Sequence, residues 1–478
     1  MQISEVLWTV IRSELEDTVG KENVEHSIAD RLTHAIDGFW ISAMLVANHR
    51  LPPMPDFVVR PGCTEEVSKV LKIADYYKIP VVPFGGASGS QGGIVNVCNG
   101  GIAVDMKRMT KILDFDEESR MITCEAGINY QQLEWYANER GYSLMHIPSA
   151  ITCGTVGGFL ANNGMGVLST KYGKIEDQCI NVEMVIPSGQ VLRSSDVPKH
   201  SSGPDMKAIF IGSEGTFGIM TKASFKLFKL PEVRLFRGFL FPNLTSGIKA
   251  VREMLEDFHP SLIRMYDEAE TGSLIKKIVG VSRQGAFMNM AVEGKKEIAE
   301  LELKLAIEIC KKHGGEDLGS EYGESWWEHR VTFFYPGHIF AYPQMFGTVD
   351  TLARYSNIEK IYWAMKDAVE GRYKADGVRF LAHFSHWYDW GAMVYTRFIF
   401  DEPKVTEPIE AIAFHNEVWY VAMHAAIGAG GVVNDHHGTG LKLGKLMKEQ
   451  YGESMMVFHG LKKMFDPNGI MNPFKMGV

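Results

Sequence analysis

Apolar residues Val6, Leu7, Val10, Ile11 and Leu15 recur at helical spacing with acidic residues between them, which predicts two helices over residues 1 to about 50, packed on the main body. From Val58 the pattern changes to short β-rich runs broken by glycine. FVVRP is followed by a helical stretch from Thr64 to Tyr77, then by IPVVPFGGASGSQGG, GIAVDMKRM and RMITCEAGI, an alternation that predicts a turn-rich α+β domain. Past about Pro231 the pattern shifts again. A strand (LFRGFLF), helices over Ser246 to Phe258 and Lys295 to His313, and further strands within FLAHFSHWYDWGAMVYTRFIF predict a second α+β domain. Helices over Glu407 to Gly428 and Leu441 to Phe465 then run into DPNGIMNP, whose prolines and glycine end the last of them. The expected organisation is therefore a helical extension (1–50), a first α+β domain (51–230), a second (231–430) and a C-terminal segment (431–478).

At 478 residues the chain exceeds what one core usually serves, in keeping with two or three domains. Its 49 basic and 58 acidic residues leave a net charge of -9, which removes any global attraction to nucleic acid or anionic lipid and favours small molecules or proteins as partners. No stretch approaches the roughly 20 apolar residues of a spanning helix. The six cysteines include no C-x-x-C pair, which argues against a zinc ribbon or a ferredoxin-type cluster. The N-terminus lacks a basic start followed by an apolar run, so a cytoplasmic setting is expected.

Candidate chemistry concentrates in three glycine-rich segments. Pro83 to Gly93, PFGGASGSQGG, follows the β-run IPVV, and a loop of Gly, Ala and Ser lets successive backbone N–H groups converge on an anion. It fits neither the G-x-x-x-x-G-K-[ST] nor the G-x-G-x-x-G pattern, and alone it reads equally as a plain flexible loop. His146 to Gln178 carries six glycines and paired asparagines in an otherwise apolar region, as backbone packed against a flat ligand would. Gly212 to Thr221 reads GSEGTFGIMT. Together the three predict one large cofactor in the first domain.

These segments carry a resemblance. PFGGASGSQGG, CEAGINYQQLEWYANERGY, HIPSA with GTVGGFLANNGMG, YGKIEDQ, MVIPSGQV and GSEGTFGIMTKASFKL follow in the order of the FAD-binding domain of the vanillyl-alcohol-oxidase and p-cresol-methylhydroxylase superfamily. NDHHGTG followed by LKKMFDPNGIMNPFKM is similar to the ending of its substrate domain. The resemblance implies a two-lobed FAD-binding domain, an α+β substrate (cap) domain with an antiparallel sheet, and a C-terminal segment that returns to the first domain. It implies that Pro83, Gly85, Gly86, Ala87, Ser88, Gly89, Ser90 and Gln91 wrap the FAD pyrophosphate. Pro148, Ser149, Gly154, Thr155, Gly158 and Gly166 would line the flavin and ribityl chain, and Glu214, Gly218 and Ile219 the adenine side. His146 and Cys153 are the only residues of the middle segment able to tether FAD, and neither matches a tether position, so non-covalent FAD is expected.

Within the superfamily the chain resembles glycolate and D-lactate type dehydrogenases and, more closely in the substrate domain, the alkyl-dihydroxyacetonephosphate synthases, through SLIRMYD, SHWYDWGAMVY, YGKIED and DHHGTG. That likeness makes Arg264 an anion-binding group, Tyr388 an acid/base, and His436 and His437 contacts to substrate and flavin; the synthases carry a further histidine where Asp435 stands here. Oxidising an alcohol with flavin needs a base for the hydroxyl proton, which His or Tyr in a dry site supplies. Blander roles stand beside each: a hydrogen-bonded loop for either histidine, a core position for Tyr388 on a strand that aligns it with His386 and Trp390, and a surface ion pair for Arg264 near a strand end.

His383 and His386, with the pair His436 and His437, raise the question of a metal, but HFSH departs from the zinc-binding pattern of the related dehydrogenases, and none is expected. The aromatic stretch from Ser325 to Phe346 suggests a pocket wall and an apolar or aromatic substrate. The expected activity is oxidation of an alcohol or 2-hydroxy acid by FAD, with electrons leaving to an external acceptor or partner subunit; an ether-forming transferase and an electron-relay subunit are the alternatives. The sequence leaves room for a homo-oligomer.

Overall fold

The structure, a computed structural model, describes residues 4–331, 344–401, 405 and 407–478. Its first part holds two sheets. The smaller, mixed sheet runs Val24–Glu25, Phe57–Val59, Ile102–Asp105, Val81–Phe84, and its last three strands are mutually parallel. The helix Thr64–Tyr77 covers it, burying Val67, Val70, Leu71 and Ala74, the positions its sequence period assigns to one face. The second sheet is five-stranded and antiparallel, in the order Ile112–Asp116, Met121–Glu125, Ile219–Lys226, Cys179–Val185, Val191–Arg193.

The later part is one seven-stranded antiparallel sheet, ordered Glu316–Asp317, Val233–Phe241, Ala286–Gly294, Leu262–Tyr266, Val378–Tyr388, Gly391–Phe400, Met345–Arg354. Its two faces have different partners. One packs Ile263, Met265, Phe380, Phe384 and Val394 against the helices Leu244–Asp257, Lys296–Lys312, Tyr355–Tyr373 and Pro408–Gly428 in the largest apolar core. The other turns Leu262, Tyr266 and Phe287 toward Met145, Val167 and Leu168 of the first part. An α+β fold with an antiparallel second sheet is what the sequence leads one to expect. The catalytic candidates lie on this second face because strand residues alternate.

Four local expectations are corrected. The N-terminal part forms three helices, Glu5–Val19, Ile28–Thr33 and Trp40–Ala47, and adds Val24–Glu25 to the edge of the small sheet. The helix expected over Leu441 to Phe465 is broken into short pieces, because Gly452 sits at positive φ and a 3-10 turn spans Gly444–Leu446, where Gly444 abuts Gly477. Arg264 stands in the middle of its strand rather than near an end. The register of Val378–Tyr388 shifts between Phe384 and Trp387, so Trp387 rejoins the helix-side core with Phe384, and Trp390 lies outside the strand. Simple alternation puts His383 and His386 on opposite faces; the bulge brings both to the site face.

Trp419 anchors Pro408–Gly428 to the sheet: it is fully buried and its Nε1 donates to the Thr348 carbonyl at 2.9 Å. Trp419→Ala should lower unfolding stability by about 3–5 kcal/mol, the usual cost of removing a large buried aromatic ring, measured by denaturant titration.

Candidate active site

The Pro83–Gly93 loop leaves the Val81–Phe84 strand and meets the 153–159 segment at van der Waals distance and below. A Cβ on Gly86 would stand 2.0 Å from the Cys153 carbonyl oxygen, and one on Gly85 would stand 2.3 Å from Thr155 Oγ1. Glycine is required there by contact between two loops. The sequence pattern shows that backbone comes close to something here, but not that the partner is a second loop. The two loops wall a cleft.

Of the residues expected at the cofactor, Pro83, Gly85, Gly86, Ala87, Ser88, Gly89, Gln91, Gly154, Thr155, Gly158, Glu214, Gly218 and Ile219 line this cleft. Ser90, Pro148, Ser149 and Gly166 do not: the Pro148 carbonyl accepts from Ile151 in a local turn, and Gly166 is pressed onto the Ile147 backbone. His146 and Cys153 do not line it either; His146 is enclosed by Tyr130 and Phe159, and burial holds its imidazole down at about 3. The cleft also contains Asp37, Asn162, Ser213, Asn472 and His437, of which only His437 is marked in the sequence reading.

Three wall residues, Ala87, Glu214 and Asn472, hold positive φ without being glycine, a strain that gathers at ligand sites. Asp37 Oδ2, Gln91 Oε1, Ser213 Oγ and Asn472 Oδ1 have no hydrogen-bond partner among the described residues. Acceptors left open around a cleft otherwise lined by Ile94, Met106, Ala126, Phe159 and Met220 fit a ligand that is part flat ring and part polyhydroxylated chain.

The turn Asn434–Thr439 closes one end of the cleft between two carboxylates. Asp350, on Met345–Arg354, accepts from the peptide N–H of Asp435 (2.9 Å) and His436 (3.1 Å), from Asn434 Nδ2 (2.9 Å), and pairs with His437 Nδ1 (2.6 Å). Glu214 accepts from the Thr439 N–H (2.6 Å), Thr439 Oγ1 (2.8 Å) and the Gly440 N–H (2.7 Å). Glu214 therefore lines the cleft while its carboxylate serves the turn, a role the sequence does not reveal. A third carboxylate, Asp435, is shared by His386 Nδ1 (2.9 Å) and His436 Nδ1 (3.0 Å) and faces the Tyr388 hydroxyl at 3.4 Å. Lys174 of YGKIED donates to the Asp435 carbonyl at 2.8 Å.

Burial and neighbours set different protonation for each group. Burial pushes His386 down to about 4 and also lowers His437, so both are neutral at physiological pH. His436 feels the same burial, but Asp350 and Asp435 beside it outweigh it and raise it to about 9. Burial and Asp435 hold the Tyr388 phenol well above its usual range, so it is a proton donor and not a phenolate base. With Nδ1 engaged by Asp350, His437 presents Nε2 as its basic nitrogen and lines the cleft.

Behind the turn, Arg264 is half-buried over the Trp326 ring at 5.1 Å, its Nε is unpartnered, and it has no ion-pair partner among the described residues. The surface ion pair is thus not what the structure shows. Nearby, His383 Nδ1 and Arg397 Nη2 each lie 3.3 Å from Glu270, and His383 stacks on Tyr395, which in turn contacts His437. Glu270, Arg397, Tyr395 and Asp350 escaped the sequence reading; for Asp350 and Arg397 a charged residue in an otherwise apolar strand was the available signal. Of the aromatic stretch, residues 332–343 lie outside the described residues, while Trp326 and Trp327 pack beneath Arg264 and Arg234.

Comparison with known proteins decides the family. Residues 55–195 match the FAD binding domain and residues 230–476 match the FAD linked oxidases, C-terminal domain. The chain belongs to the FAD-linked oxidase family. This oxidase is 31% identical over 97% of both chains to the uncharacterized FAD-linked oxidoreductase YgcU of Escherichia coli (strain K12). It is 28% identical to the alkyldihydroxyacetonephosphate synthase of Dictyostelium discoideum, over 93% of this chain and 77% of that one. It is 26% identical to glycolate oxidase subunit GlcD of Bacillus subtilis (strain 168), over 98% and 96%.

Among solved structures, an alkyldihydroxyacetonephosphate synthase superposes with a TM-score of 0.82 at 25% identity over 99% of this chain and 85% of the other. A p-cresol methylhydroxylase shares the fold, with a TM-score of 0.80 at 17% identity over 100% and 98%. The oxidase is thus a FAD-linked oxidase or dehydrogenase, its cofactor is FAD, and among its described residues no helix is long and apolar enough to cross a membrane.

Ligand-type atoms of Asp350, His436 and His437, and of His386, Asp435 and His436, lie within 4.8 Å of one another. Each Nδ1 already meets a carboxylate, and no metal is assigned. Exhaustive chelation should leave flavin reduction unchanged; a loss restored by zinc would show that a cation belongs there. Gly86→Ala should release FAD, because its Cβ meets the Cys153 carbonyl and forces the two loops apart; the flavin absorbance remaining after gel filtration checks this.

Proposed function

We propose that this oxidase removes the elements of hydride and proton from a CH–OH group, most suitably that of a 2-hydroxy acid, and passes the electrons to an external acceptor. The observation that carries the proposal is a neutral histidine lining the cleft, His437, with an arginine that has no ion-pair partner among the described residues, Arg264, whose charge is felt by His383 and His386 beside the same turn. FAD, held without a covalent tether by the three glycine-rich segments, supplies the hydride-accepting ring. His437, its Nδ1 fixed on Asp350, takes the hydroxyl proton at Nε2. The positively charged His436 next to it favours the alkoxide character that develops as that proton leaves. Tyr388 donates a hydrogen bond that orients the substrate oxygen, and Arg264 holds the carboxylate.

The ether-forming reading of the synthases receives less support at one position. Asp435, where those enzymes carry a histidine, places a carboxylate between His386 and His436 and so changes the charge of the turn. Anaerobic addition of 2-hydroxy acids should bleach the flavin stoichiometrically, whereas turnover through an adduct returns oxidised flavin with no net reduction. Full absorbance retained against a panel of alcohols and hydroxy acids would overturn the oxidative reading.

Within that reading, His437→Ala and Tyr388→Phe should keep FAD while slowing flavin reduction in stopped flow by about 100-fold for the base and less for the phenol. Arg264→Ala should raise KM more than it lowers kcat, since an anion clamp acts in ground and transition states alike. The pH profile follows from sign. His437 lies below the ordinary histidine value and must be neutral to act, so reduction should be flat across neutral pH, fall on the acid side of that value, and decline again above about 9, where His436 gives up its charge.

A further inference from the structure

Two carboxylates in the cleft wall lie outside both matched domains, Glu214 between them and Asp37 ahead of both, and only Asp37 leaves an acceptor open. Asp37 precedes Gly38 between the helices Ile28–Thr33 and Trp40–Ala47, ahead of residue 55 where the FAD binding domain match begins. Gly38 seats this turn on the loop after Val81–Phe84: a Cβ on it would come 2.9 Å from the Gly89 carbonyl oxygen and 3.3 Å from that of Ser88. The Asp37 Oδ1 accepts from the Phe39 N–H at 3.0 Å. Its Oδ2 is shielded from bulk water, has no hydrogen-bond partner among the described residues, and lies 3.8 Å from where a Cβ on Gly89 would stand.

An acceptor left open in a desolvated wall destabilises the chain unless a ligand donates to it. Lys475 supplies countercharge without a bond, because its Nζ donates to the Val95 carbonyl at 2.7 Å. Burial raises Asp37 to about 7, against the Phe39 and Ile94 N–H groups and the Lys475 charge that lower it. A carboxyl part neutral at physiological pH can stand beside a diphosphate without the full repulsion of two anions. The cofactor's sugar portions are rich in hydroxyl groups, each able to donate and to accept.

We propose that Asp37 is a cofactor contact: its Oδ2 accepts a hydrogen bond from a sugar hydroxyl of FAD beside Ser88 and Gly89, so that the N-terminal segment completes a site the FAD-binding domain leaves open. The test uses the full chain stripped of flavin and titrated with FAD, read by flavin fluorescence, with the melting temperature of each apoprotein measured in parallel. Asp37→Ala should weaken FAD binding by about tenfold or more, the scale of one buried hydrogen bond. Asp37→Asn keeps an acceptor for Phe39 and offers an amide to a hydroxyl that also accepts, so it should stay within about threefold of the native protein. Apoprotein melting should be unchanged or raised in Asp37→Asn, which keeps the Phe39 bond and neutralises the open acceptor, while Asp37→Ala also frees the Phe39 N–H, so its loss of affinity is read against its own melting temperature.

If Asp37→Ala does not fold, Asp37→Ser takes its place, retaining an acceptor for the Phe39 N–H while being too short for the cleft, with the same expected loss. FAD affinity within about twofold of native in Asp37→Ala or Asp37→Ser overturns the proposal. Equal losses in the Ala and Asn variants, matched by equal drops in apoprotein melting, overturn it as well and make Asp37 a packing residue.

Discussion

Two carboxylates that grip one turn from opposite sides make the site possible. Asp350 belongs to the seven-stranded sheet and Glu214 to the third glycine-rich segment of the FAD side, and between them they take up the peptide and side-chain donors of Asn434 to Gly440. A buried carboxylate is tolerated only when its lone pairs are filled, and charge-assisted bonds in a dry setting are strong and directional. The turn is therefore fixed relative to both halves of the molecule at once. Where His437 sits with respect to the cleft follows from those two acids, not from a strand or helix of its own.

The same constraint explains how three neighbouring histidines come to differ. His386, His436 and His437 share residue type and burial, yet one is charged and two are neutral. The difference lies in how many carboxylates each faces: His436 has two within 3.3 Å, His386 and His437 one each. Dividing acid and base character by environment is how one residue type serves opposite proton-transfer needs at a single pH.

The order of the elements and the glycine-rich walls of the cleft were legible in the sequence, because both are written locally. A helical period fixed Thr64–Tyr77 to the residue, and runs of glycine and small residues announced close backbone approach. What the sequence concealed depends on pairing over long separations. The bulge that turns His383 and His386 to one face arises from register with the neighbouring strand, which no period-two pattern reports. Asp37, Asp350 and Glu270 looked like ordinary acids until the fold buried them. Glycines such as Gly86 were found for an incomplete reason: the spacing revealed that backbone comes close, but not that another loop comes close to it.

The strand that leads into the cofactor loop also borrows its edge from far along the chain. Val81 donates to the Ile470 carbonyl, its own carbonyl accepts from Asn472, and Asn472 goes on to bond Gly93 and Glu214. Residues separated by almost the whole length of the polypeptide must meet before this edge exists, a contact of the slowest topological kind. A ribosome making the protein emits the Pro83–Gly93 loop early and its partner strand near the end. The nascent FAD-binding domain therefore waits, with one strand edge and several acceptors open, through the synthesis of the entire second sheet. Interrupted chains that already contain every glycine-rich segment would still lack this strand edge and the Asn472 bonds to Gly93 and Glu214.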